Sequence, residues 1–182
     1  KELDRIGARR VFVVCSNSVA SKTPLLSRIK ELIGARFAGA FTQMRKDAPM
    51  EDAERAAELA RDCAADSLIA VGAGSVMKGT RAVAIAIGEG QPLHELATRY
   101  PDNGPPVSPK LLRPKPAIFN VPTVASSAQN RAGCALRRSD GGPRLEFFDR
   151  KTRPVALFWD VEALLSAPPK LAVSTGLCVF WR

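Results

Sequence analysis

At 182 residues the chain can bury one core and the start of another, and its 46% hydrophobic and 25% charged residues are the composition of an ordinary soluble globular protein. No apolar run approaches the ~20 residues that span a bilayer, and no charged-then-apolar leader stands at the front, so the chain reads as a cytoplasmic protein without a membrane partner. The net charge of +9, from 27 Lys and Arg against 18 Asp and Glu, is dispersed: the densest clusters are the pairs Arg9-Arg10 and Arg137-Arg138, with no aromatic residues between them. That spread weighs against a nucleic-acid partner and suits an anionic small ligand. Cys15, Cys63, Cys134 and Cys178 show no Cys-x-x-Cys spacing, which argues against a zinc ribbon or thioredoxin chemistry and for a reducing compartment. Position 1 is Lys rather than Met, which reads as a trimmed N-terminus.

The first element is Val11-Phe12-Val13-Val14-Cys15, a continuous apolar run rich in β-branched residues, as in a strand buried on both faces. Ser16-Asn17-Ser18 breaks it. Thr23 as N-cap and Pro24 at the first helical position open a helix with the stripe Leu25, Leu26, Ile29, Leu32, Ile33, ended by Gly34. A strand over 36–41, an Ala- and Glu-rich helix over 50–65, a strand over 67–71 and a helix over 76–87 follow. Weak helical character over 92–100 gives way to a loop over 101–116 with six prolines.

A strand over 117–121 ends at Pro122-Thr123. Segments 131–138 and 145–148 pair as an antiparallel hairpin around Ser139-Asp140-Gly141-Gly142. A buried strand over 155–159, a helical turn over 161–165 and a helix opened by Pro168-Pro169 and cut at Gly176 complete the chain. Alternating strands and helices predict an α/β fold: a doubly wound, mostly parallel sheet with right-handed crossovers and an added antiparallel hairpin.

One turn stands out. The run Leu68-Ile69-Ala70-Val71 stops at Gly72-Ala73-Gly74-Ser75, directly before a helix. Small residues at a strand-to-helix turn let backbone N–H groups approach a phosphate, and the helix end adds partial positive charge. Gly-x-Gly-Ser is shorter than the six-residue dinucleotide fingerprint, and a plain strand–helix turn is the alternative reading.

Three motifs in order resemble the N-terminal part of the iron-containing alcohol dehydrogenase family, which includes the maleylacetate reductases. They are Gly72-Ala73-Gly74-Ser75, then Val121-Pro122-Thr123-Val124-Ala125-Ser126-Ser127, then Asp160-Val161-Glu162-Ala163-Leu164 with Pro168-Pro169 and Ser174-Thr175-Gly176-Leu177. The resemblance implies a Rossmann-like dinucleotide-binding domain over 1–166 and the start of a truncated helical domain over 167–182. It implies NAD or NADP as cofactor, with hydride transfer to or from an alcohol or carbonyl substrate. Gly72, Gly74 and Ser75 would hold the pyrophosphate, and Thr123, Ser126 and Ser127 would contact the cofactor from the neighbouring loop.

Lys78 and Arg81, early in the following helix, either add charge toward an anion or project into solvent. Ser16 and Asn17 stand where many members carry an acidic residue for the adenosine ribose, so no carboxylate rejects a 2′-phosphate. Where metal-dependent members carry an Asp and, four residues on, a His, this chain has Cys178 and Arg182, and its single histidine, His94, lies elsewhere. No bound iron or zinc and no assigned catalytic acid or base is therefore expected. The apolar stretch Val179-Phe180-Trp181 suggests a docking or homodimer surface. Two further readings stay open: a truncated or degenerate relative that binds nucleotide without chemistry, and a basic nucleic-acid binder.

Overall fold

The computed structural model describes residues 1–181. In chain order it contains α1 (Glu2–Arg5), β1 (Val11–Cys15), α2 (Asn17–Lys22), α3 (Leu25–Ile33), β2 (Phe37–Phe41), α4 (Met50–Asp62), β3 (Ser67–Gly72) and α5 (Gly74–Glu89). After these come α6 (Leu93–Leu96), β4 (Ala117–Pro122), β5 (Gly133–Leu136), β6 (Leu145–Phe148), β7 (Ala156–Leu157), α7 (Val161–Leu165) and α8 (Pro169–Phe180). Five strands form a parallel sheet in the order β2-β1-β3-β4-β7, and β5 pairs antiparallel with β6. β1 lies beside β3 in unbroken register from Val11↔Ser67 to Cys15↔Val71, and β3 beside β4 from Ser67↔Ala117 to Gly72↔Pro122.

Alternate residues of the central strands supply two cores, as the two-residue period of a strand requires. Phe12, Val14, Leu68, Ala70 and Ile118 pack with α4 and α5. Val11, Val13, Cys15, Ile69, Val71 and Phe119 pack on the other face with Val19, Leu25 and Ala163 from α2, α3 and α7. Helices on both faces bury β1 and β3 completely, which is why their sequences carry no polar alternation. α5 runs between the sheet and the β5–β6 hairpin and is apolar on nearly every side.

Five details differ from the sequence expectations. The break after β1 is itself helical: Ser16 caps α2, its Oγ accepting from Val19 N at 3.4 Å. Thr23 closes α2 by donating to Val19 O at 2.6 Å, and Pro24, not Thr23, precedes α3. Leu32 is 74% exposed, outside the buried stripe. The run over 155–159 pairs through Ala156 and Leu157 only and leaves Val155, Phe158 and Trp159 exposed, because an edge strand has a neighbour on one side alone. α8 runs through Gly176, whose missing side chain costs ~1 kcal/mol of helix propensity, too little to stop it.

Candidate functional site

From β1 the chain steps outward to β2, then returns to the far side of β1 with β3. That reversal of strand order opens a crevice at the C-terminal ends of β1 and β3, where open α/β sheets bind ligands. A cleft of about 1380 Å³ lies there, lined by Ser16, Gly74, Ser75, Lys78, Ser126 and Ser127 together with residues of the hairpin and α8.

The turn after β3 forms its floor. Gly72 has φ of +151°, and a Cβ there would come within 2.8 Å of Val76 Cγ2, so the position needs glycine. Ala73 has φ of −88°, which explains how Ala stands at that position without strain. Ala73 is also the N-cap of α5 and supplies no side-chain acceptor, so the first N–H groups of this sixteen-residue helix are left for a ligand or water. A Cβ on Gly74 would lie 2.8 Å from Ser126 Oγ, so the absent side chain holds open the gap between turn and loop. Ser75 Oγ accepts from Asp47 N at 2.9 Å, tying the loop after β2 to the same turn.

Opposite, Ser126 Oγ accepts from Ala128 N at 3.2 Å, and the Ser127 carbonyl accepts from Arg131 Nε at 2.8 Å. Of the sequence candidates, Gly72 shapes the turn, while Gly74, Ser75, Lys78, Ser126, Ser127 and Ser16 gather at the cleft. Asn17 is exposed on a side cavity beside it. Thr123 does not reach the cleft. It is 6% exposed and its N–H donates to Gly72 O at 3.1 Å, so it braces the ends of β3 and β4 instead.

Lys78 is half-buried on the cleft wall and makes no hydrogen bond or ion pair among the described residues. Burial pulls its pKa below the usual lysine range, and Arg144 adds to that while Asp47 opposes it. Arg81 takes neither role expected of it. It is 1% exposed, donates through its Nη atoms to Ala128 O and, at 3.4 Å, to Gly133 O, and its Nε has no partner. Burial lowers its pKa to about 10, and it joins α5 to the hairpin rather than facing a ligand. Burial likewise pushes the Cys134 thiol up to about 12, so that thiol stays protonated.

Sequence reasoning missed the cations Arg131, Arg144 and Arg153 on the cleft wall. They belong to the hairpin region and its flanks, and no local pattern marks them. Arg144 is 97 residues from Asp47, its partner at 3.2 Å.

The metal that the sequence resemblance implies has no fitting site among the described residues. No three His, Cys, Asp or Glu side chains gather as ligands among the described residues. Cys178 is exposed on α8, His94 is exposed on α6 with Glu95 3.9 Å away, and Arg182 lies outside the described residues.

The family model for "Iron-containing alcohol dehydrogenase" matches residues 1–161. A maleylacetate reductase of Burkholderia cepacia is 25% identical over 177 residues, covering 97% of this chain and 41% of that protein. A 4-hydroxybutyrate dehydrogenase of Cupriavidus necator is 28% identical over 177 residues, covering 97% and 44%. The crystal structure of a sulfoacetaldehyde reductase from Bifidobacterium kashiwanohense in complex with NAD+ superposes with a TM-score of 0.83 at 19% identity, over 98% of this chain and 45% of that one. The chain thus spans less than half the length of these relatives. The family match extends over most of the described fold, including the turn and all of the cleft wall except α8, and the chain belongs to the iron-containing alcohol dehydrogenase family.

Proposed function

We propose that this chain is the cofactor-binding part of an oxidoreductase that moves a hydride between NAD or NADP and an alcohol or carbonyl substrate. The observation that carries the reading is the open, uncapped start of α5 at the strand-order reversal, with the unpaired ammonium of Lys78 beside it. A pyrophosphate is the ligand those groups suit: it accepts from the N–H groups of Gly74 and Ser75 and offsets the Lys78 charge. Ser126 and Ser127 bound it from the other side, and Ser16 and Asn17 lie toward the adenosine ribose. The bound nicotinamide supplies the hydride chemistry; the chain's residues bind and orient it. The kinship to a maleylacetate reductase and a 4-hydroxybutyrate dehydrogenase supports an alcohol or carbonyl substrate. The same reading ends the cofactor domain near residue 166 and makes α8 the opening of the next unit. None of α8's residues is buried, and Phe180 and the following Trp181 are 87% and 89% exposed.

Calorimetric titration with NAD⁺ and NADP⁺ tests the proposal. At least one dinucleotide should bind, and Gly74→Val, which fills the gap against Ser126 Oγ, should weaken it about tenfold or more. Absence of binding by the folded chain, or equal binding by the variant, refutes the reading.

A further inference from the structure

Beside the main cleft, at the C-terminal ends of β1 and β2, is a second cavity of about 670 Å³ whose wall includes Ser16, Ser18, Lys46, Asp52 and Arg55. The two share Ser16, Ser18, Met44, Arg45 and Lys46, so a ligand lying along the cleft reaches both.

The charges in its wall are unbalanced. Its one carboxylate, Asp52, is 3% exposed and fully engaged. It accepts from Arg45 N at 3.0 Å, from Arg45 Nε at 2.9 Å and from Arg45 Nη2 at 2.6 Å. Arg45 is further occupied by Glu51 at 2.8 Å. Lys46 and Arg55 are exposed and have no hydrogen bond or ion pair among the described residues. The wall therefore offers two unpaired cations and no free carboxylate. The hydroxyls of Ser16 and Ser18 bond each other at 3.0 Å, which leaves one O–H to donate.

The segment bearing Lys46 is held in place on both sides. Met44 N donates to Cys15 O at 3.2 Å, Asp47 N to Ser75 Oγ at 2.9 Å, and Arg137 N to Ala48 O at 3.1 Å. Asp47 and Ala48 both take left-handed φ values, 65° and 50°, which non-glycine residues keep only where neighbours enforce them.

We infer that this cavity receives the 2′-phosphate of an adenosine and makes the chain selective for NADP, with Lys46 and Arg55 as its cations. The inference rests on the dinucleotide reading above. A ribose diol calls for a carboxylate acceptor, and the only one here is spent on Arg45. A phosphate dianion calls for donors and positive charge, which are what remain.

The test uses 2′,5′-ADP and 5′-ADP as calorimetric probes, which differ in the 2′-phosphate. The 2′,5′-ADP should bind about ten- to a hundredfold tighter, the worth of one or two charge-assisted hydrogen bonds. The double substitution Lys46→Ala and Arg55→Ala, at exposed positions, should bring the ratio close to one while leaving 5′-ADP unchanged. Ser16→Asp, which still caps α2, should reverse the preference. Equal affinities in the parent chain, or a double variant that loses both probes alike, overturns the assignment and leaves the dinucleotide reading standing. Failure of both probes to bind the folded chain overturns both.

Discussion

Replacing Lys78 by Met separates ligand binding from stability, because the two effects have opposite signs. The ammonium is half-buried, unpaired and beside Arg144, with Asp47 giving partial compensation. A lysine whose folded pKa is depressed is charged at neutral pH at a cost to the fold. That cost is full below the folded pKa and disappears as pH rises through the unfolded value of about 10.4. Met keeps the apolar stem in contact with the cleft wall and removes the charge. The ligand-free variant should therefore melt at the parent's temperature or above it at pH 7, and the difference should vanish above about pH 10.4. Binding should move the other way. A charge-assisted hydrogen bond to the pyrophosphate is worth ~1.5–3 kcal/mol, so Kd for the preferred dinucleotide should rise about ten- to a hundredfold. Thermal melts followed by circular dichroism, with calorimetric titrations on the same samples, measure both. A variant that melts lower and binds like the parent would refute the argument, since Lys78 would then be a packing residue.

Two other outcomes concern the frame around the site. Lys115 has a fully buried side chain, with Nζ 2.6 Å from Glu89 Oε1, 3.2 Å from Asp149 Oδ2 and 2.7 Å from Arg113 O, and it fastens the proline-rich loop to the end of α5. Lys115→Met should leave two buried carboxylates short of a partner and cost ~3–5 kcal/mol, or about 10 °C in Tm; a loss under ~1 kcal/mol would show the network to be dispensable. Burial raises the Asp149 pKa, but hydrogen bonds from Lys151 and Lys115 outweigh it and hold the carboxyl below its ordinary value. Its stabilisation is thus present above the unfolded value of about 3.9 and is lost as pH falls through the lower folded value. Urea midpoints measured from pH 5 to 2 should fall more steeply for the parent than for Asp149→Asn, and parallel curves would contradict this.

The parallel sheet was legible in the sequence because β1 and β3 are buried on both faces and so appear as unbroken apolar runs. The apolar run over 155–159 looked the same locally, but hydrophobicity does not report how many neighbours a strand acquires, and this one became a half-exposed edge. Gly72 and Gly74 were legible as a tight strand-to-helix turn, since their lack of Cβ is a local property. Thr123 and Arg81 were not. Whether a residue faces a cleft or braces the fold depends on its partners in space: for Arg81 these are the Ala128 and Gly133 carbonyls, and for the Thr123 N–H the Gly72 carbonyl.

The sequence by itself determined the order of the strands and of the longer helices, the glycine turn and the absence of an acidic residue after β1, because each follows from backbone propensity or residue identity at one place. Only the tertiary structure decided which charges are free. Asp52 lies seven residues from Arg45 and is consumed by it, Arg81 is buried under the hairpin, and Lys78, Lys46 and Arg55 remain unpaired among the described residues at the cleft and the cavity beside it. Electrostatic compensation depends on distance and burial in three dimensions, which chain position alone does not record.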